Sequence, residues 1–368
     1  MGSDVVFVIV VVTALAFDFT NGFHDTATAV ATSISTRAMS PRLAVTMAAL
    51  LNFAGAFISL KVAATVGSGI VESSAVTPTI VFAGLIGAIA WNLITWYFGL
   101  PSSSSHALIG GLVGAVIAGS GTGNVIASGL VGKVIIPAII APVLAFLVAV
   151  IGILVVYRVV AALRPGPVTN GFKLGQIASG GLLALAHGTN DAQKTMGVIT
   201  LALIAHGDIS PNNFHVPEWV VISAASAIAL GTYTGGWRII RTVGSRIIKM
   251  DSAQGFSSQG AGAAVILAAS HYGYPLSTTH VISGGVMGAG AAKRLSAVRW
   301  GVAGNIVAAW ILTIPAAGLM GALTYGITRI FGTGAAGPLV VSIALLLAIV
   351  AVFARRLQRG PALTAESA

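Results

Sequence analysis

Two aspartates and two hydroxyl-rich runs are the residues of this chain best suited to chemistry, and each comes as a pair. Asp25 stands in TNGFHDTAT (20–28) and Asp191 in HGTNDAQKT (187–195), while PSSSSHALIGG (101–111) returns as PLSTTHVISGG (275–285). The proline, the hydroxyls, the histidine and the paired glycine recur in register, so the chain reads as one duplicated unit. A carboxylate set in apolar sequence costs on the order of 3 kcal/mol or more unless it has a partner, so Asp25 and Asp191 call for a cation, a proton or both. Asn21 and Asn190 stand beside them and offer neutral oxygens to a hard cation. The plainer alternative is a buried salt bridge between Asp191 and Lys194.

The hydroxyl runs point to a different partner. Ser102 to Ser105 follow Pro101 and precede an apolar run, so one of them caps a helix and the next backbone amides are unpaired donors. Ser277, Thr278 and Thr279 repeat this after Pro275. Two such helix N-termini meeting from opposite leaflets make a hydroxyl-lined, electropositive pocket suited to a tetrahedral oxyanion. A single run would be read as caps or as glue between helices; the duplication favours the pocket. His106 and His280, one turn after the hydroxyls begin, read as hydrogen-bonding supports. His24 and His187 lie nearer the aspartates, and Asp18 belongs to the site or to its vestibule. Gly110, Gly111 and Gly114, matched by Gly284, Gly285 and Gly288, lie in apolar sequence without a preceding strand, which predicts close helix packing rather than nucleotide binding.

The elements that must position these groups are membrane helices. With 368 residues, 56% apolar and 8% charged, and a mean hydropathy of +0.95, the chain reads as an all-α polytopic membrane protein, which excludes the soluble classes. Apolar runs at 43–66, 79–98, 131–157, 217–237, 297–328 and 338–354 are near or above the ~20 residues that cross a bilayer. The net charge of +10 sits in short blocks between these runs, as the positive-inside rule requires, and gives no nucleic-acid stripe. There is no cysteine, hence no disulfide and no thiolate metal site. Ala14 and Ala16 are spaced like a signal-peptidase site, but no Lys or Arg precedes the run, so an uncleaved helix is predicted.

Two repeats follow, 4–160 and 173–330, joined by a cytoplasmic linker at 161–172 and succeeded by a helix at 338–354 and a disordered tail at 360–368. In the first helix Asp18, Asn21, Asp25, Thr28 and Thr32 recur at steps of three and four, on one face. Gly22 amid these polar groups predicts a helix broken near mid-membrane. Hairpins are predicted at 79–119 and 256–292, with the hydroxyls at their tips. The second is flanked by Arg238, Arg241, Arg246, Lys249, Lys293, Arg294 and Arg299, the first by neutral or acidic sequence, so the repeats are inverted, with the N-terminus outside and the C-terminus cytoplasmic.

At these motifs the sequence resembles the inorganic phosphate transporter (PiT) family, in its bacterial low-affinity phosphate permease branch. The resemblance implies a plasma-membrane secondary transporter that takes up inorganic phosphate by cation symport, with alternating access around one midplane site. By matching position, Asp25 and Asp191, with Asn21 and Asn190, would couple the cation. Ser103, Ser104, Ser105, Ser277, Thr278 and Thr279 would bind phosphate. His106, His280, Lys194 and Ser102 would support them, Ser102 the least alike because its counterpart is Leu276. Lys194 beside Asp191 disfavours sodium there and favours proton symport, with phosphate bare or complexed to a divalent metal. Sodium coupling, sulfate transport, an uncoupled channel and an intramembrane hydrolase are the alternatives. The family has no enzymatic activity and needs no cofactor; phosphate, the bilayer and a second copy of the chain are the expected partners.

Overall fold

The computed structural model describes residues 2–358, and these form helices joined by short turns, with no named strand among them. The first half runs α1 (Gly2–Ser35), α2 (Pro41–Gly55), α3 (Lys61–Ser68), α4 (Pro78–Phe98), α5 (Ser104–Ser120) and α6 (Ala127–Leu130), which passes through a π turn into α7 (Ile136–Val160). The second half repeats the order: α8 (Pro165–His206), α9 (Glu218–Thr234), α10 (Trp237–Arg241), α11 (Ser252–His271), α12 (Thr278–Lys293) and α13 (Trp300–Ile330), followed by α14 (Ala336–Gln358). Helix starts carry the expected signals. Proline opens α2 and α4 behind the caps Ser40 and Thr77, and Asp251 and Gln254 form a capping box at α11. Pro165 likewise opens α8, so part of the predicted linker at 161–172 is already helix; the predicted tail at 360–368 lies outside the described residues.

Each half contains a broken helix, but not at the residue the sequence singled out. α1 runs unbroken through Gly22, and α8 is likewise continuous over 42 residues. The breaks fall in the second helix of each half, between α2 and α3 at 56–60 and between α9 and α10, where the axis bends by 59°. Gly235, with φ 74, supplies the left-handed turn at the second break. Gly22 has a different task. A Cβ there would lie 2.4 Å from the carbonyl oxygen of Ile228, so the glycine lets the backbones of α1 and α9 touch.

The packing is reciprocal between the halves. Hairpin helix α5 lies against α13, and α12 lies against α7; α1 packs on α9, and α8 on α2 and α3. The hairpin glycines are what allow this approach. A Cβ on Gly114 would meet the Gly318 oxygen at 2.0 Å, and one on Gly288 the Phe146 oxygen at 2.2 Å. Gly114→Ala or Gly288→Ala should therefore destabilise the protein by about 1–3 kcal/mol, seen as a lower melting temperature in detergent. Gly304→Ala, where a Cβ meets nothing within 4 Å, should leave it unchanged.

Four helices among the described residues are long and apolar enough to cross a membrane, α1, α4, 127–160 and α13, and the bent pair α9–α10 qualifies as a fifth. The outward face of α7 is Ile139, Val143, Leu147 and Ile151, all exposed. That face has the composition of a lipid contact, and the chain is a multi-pass membrane protein.

Candidate functional site at the hairpin tips

The two hairpin helices start in the same way. Ser103 accepts the His106 amide at 3.1 Å, and Ser277 accepts the His280 amide at 3.2 Å, so these two are the N-caps. Capping fixes the register of the first turn and turns the following hydroxyls toward the long helices. Ser104 donates to Asp25 Oδ2 and lies 2.6 Å from Asn21 Oδ1. Thr279, from the other hairpin, donates to Asp25 Oδ1 at 3.1 Å. Hydroxyls of both hairpins thus converge on one carboxylate of α1. His24 Nδ1 stands 2.7 Å from the same carboxylate, and its Nε2 meets Thr95 at 3.1 Å and Ser102 at 3.4 Å.

The Asp191 half is built differently. Lys194 Nζ lies 2.6 Å from Asp191 Oδ1, so the salt bridge is present, and both side chains are essentially excluded from solvent. The ammonium also donates to Ser105 and, at 2.8 Å, to the carbonyl of Leu276. It therefore ties α8 to both hairpin tips at once. His187 Nε2 stands 3.4 Å from Asp191 Oδ2. Asp25, His187 and Asp191 offer ligand atoms that all lie within 4.8 Å of one another, which brings the paired aspartates face to face between the halves.

The other sequence candidates fall around this centre. Asn190 donates to Ser270 at 2.8 Å and to the Tyr274 carbonyl at 3.0 Å, and so holds the end of α11. The buried Thr278 hydroxyl has no hydrogen-bond partner among the described residues. His106 and His280 meet edge to face at 4.8 Å, and Trp310 of α13 stacks on His280 at 4.0 Å, so the histidines join the tips to each other rather than to the aspartates. Asp18 is buried beside Thr195, Asn21 and Asp191. The paired glycines pack helices, as their apolar setting predicts.

Several residues of the site escaped the sequence reading. Asn52 stands 3.1 Å from His187 Nδ1 and donates to Thr232 at 2.8 Å, linking the two broken helices behind Asp191. Gln193 accepts the Val62 amide at 2.9 Å and so satisfies the start of α3 at the first break. Gln193 lies inside a motif already singled out. Asn52 is an isolated polar residue in an apolar run, and Thr95 and Thr232 stand among few other polar residues in such runs, which was their only signal.

Membrane-crossing helices, two hydroxyl-tipped hairpins and facing intramembrane carboxylates define a polytopic membrane transport protein. The phosphate transporter family matches residues 21–321, and the chain belongs to that family. It is 53% identical over 324 residues, 88% of this chain and 78% of the other, to the probable low-affinity inorganic phosphate transporter of Mycobacterium bovis. The protein of the same name from Rhizobium meliloti is 49% identical, with 85% of this chain and 93% of that one covered. Among solved structures, a sodium-dependent phosphate transporter superposes with a TM-score of 0.81 over 88% of this chain and 99% of that one, at 24% identity. This last likeness concerns the fold.

Proposed function

We propose that the protein takes up inorganic phosphate by symport with protons, through one site formed by both hairpin tips. The observation that carries this reading is the convergence of Ser104 and Thr279, one from each hairpin, on the single carboxylate of Asp25. A phosphate arriving between the tips competes with Asp25 for the same two hydroxyl donors, and like charges at that distance repel. A proton on Asp25 removes the repulsion and turns the carboxyl into a donor to the phosphate oxygens. Proton and phosphate then load together, which is the coupling a symporter needs. Phosphate near neutral pH can also donate to a carboxylate, whereas sulfate only accepts, so the Asp191 carboxylate favours phosphate.

Sodium is the second reading, favoured by the cluster of Asp25, His187 and Asp191 within 4.8 Å. Against it, Lys194 already places a cation on Asp191, and one of the three donors is an imidazole where a hard cation prefers oxygen. In the mechanism that follows, the two units 4–160 and 173–330 are inverted in the membrane, with the N-terminus outside and the C-terminus cytoplasmic. They rock against each other so that the site opens to one side and then the other. The reciprocal packing of the halves supports this division.

Labelled-phosphate uptake into proteoliposomes, with a proton or a sodium gradient imposed separately, tests the proposal. Accumulation driven by protons and resistant to excess sulfate is expected; accumulation driven by sodium alone would replace the coupling ion, and competition by sulfate would replace the substrate. Ser104→Ala should raise the apparent KM for phosphate about tenfold, the scale of one hydrogen bond to a charged group, with protein levels in the membrane unchanged.

A further inference from the structure

A polar cavity lies beside the turn of the first hairpin. It has a volume of about 420 Å³ and is walled by Tyr97 and Gly99 from the end of α4 and by Arg238, Arg241 and Arg246 from the segment after the second helix break. Among the described residues no carboxylate lines it. Arg238 is held in place by the protein itself: it donates to the Tyr97 carbonyl and sits over the rings of Trp96 and Tyr97 at 5.4 and 5.1 Å. Arg241 and Arg246 have no ion pair among the described residues; both are exposed and both line the cavity. Three guanidinium groups gathered in one concave site repel one another, and an anion among them would relieve that repulsion. Guanidinium groups match the oxygens of a phosphate in geometry as well as in charge.

The cavity also touches the hairpin turn and the second helix break. Thr242, one residue after Arg241, donates to the Gly99 carbonyl at 2.9 Å, and Gly99 closes α4 three residues before Ser102. Within the break, a Cβ on Gly236 would stand 2.1 Å from the Phe23 oxygen, next to the His24–Asp25 pair. An anion in the cavity would touch both the hairpin turn and the bent helix.

We propose that Arg238, Arg241 and Arg246 form a separate subsite for a phosphate-bearing anion on the cytoplasmic side of the first hairpin. The assignment of side rests on the topology proposed above; the binding does not. Two sources supply that chemistry, free phosphate leaving the central site and the headgroup of an anionic phospholipid.

The test uses the full-length protein in nanodiscs of phosphatidylcholine alone, or with phosphatidylglycerol added, and measures binding of radiolabelled inorganic phosphate together with retention of phosphatidylglycerol by mass spectrometry. Arg238 is left intact because it also braces the turn. In phosphatidylcholine, the wild type is expected to show a weaker class of phosphate sites besides the central one. Arg241→Gln/Arg246→Gln should weaken that class about tenfold or more and leave the central class in place, and Arg241→Lys/Arg246→Lys should restore part of it. If phosphatidylglycerol is retained by the wild type, lost by the glutamine variant, and displaces the weaker class, the occupant is the lipid headgroup. Equal phosphate binding and equal lipid retention in wild type and glutamine variant would overturn the proposal, as would the absence of both from the wild type. Loss of the central class alone would instead count against the transport reading.

Discussion

Asp25→Asn should abolish accumulation of phosphate against its gradient while leaving a folded protein in the membrane. Asparagine is close to the size of aspartate; Ser104 and Thr279 now donate to different oxygens of Asp25, so the amide keeps an acceptor for one of these hydroxyls and offers its NH2 to the other, which must turn to accept. What it lacks is the ability to gain and lose a proton or to hold a cation. Uptake down a gradient should persist in reduced form, and concentrative uptake should fall to background. Protein level, melting temperature and uptake measured together separate the effects: a folded variant that still concentrates phosphate would remove Asp25 from coupling.

The second large effect is a loss of stability rather than of coupling. Asp191→Asn leaves the Lys194 ammonium buried without its counter-charge, and breaking a buried pair from one side costs about 3–5 kcal/mol. The other groups that Lys194 bonds, Ser105 and the Leu276 carbonyl, are uncharged, so neither replaces the carboxylate. Asp191→Asn should therefore reach the membrane poorly and melt early, unlike Asp25→Asn. The double variant Asp191→Asn/Lys194→Met removes both charges and should recover most of the stability. A single variant as stable as the wild type would mean that the ion pair contributes little to the fold.

These two predictions differ although the aspartates occupy matching places in the repeated motif, and the reason shows where sequence reading stopped. The hairpins were legible because proline, hydroxyls and a following apolar run all signal a helix start at the same place. Their glycines were legible because an apolar setting leaves packing as the physical use for them. Which serine caps and which faces the aspartate was not, since that depends on a helix register only the folded chain fixes; Ser103 and Ser104 are neighbours with different partners. The helix breaks were misplaced because Gly22 carries the local signal of a weak point, while its role is set by α9, more than two hundred residues away in sequence. The Lys194–Asp191 pair, three residues apart on one helix, was foreseen as an alternative. Its reach to both hairpin tips was not, because the Ser105 and Leu276 contacts join distant parts of the chain.

The central claim is that one phosphate is held by both hairpins together. A double-mutant cycle on phosphate affinity, with Ser104→Ala, Thr279→Ala and the pair, tests it most directly. The shared site predicts that each single variant weakens binding and that the two effects are not additive, with an interaction of about 0.5–3 kcal/mol, because both hydroxyls serve the same anion and the same carboxylate. Strictly additive losses, or unchanged affinity in either single variant, would contradict a site built from both halves.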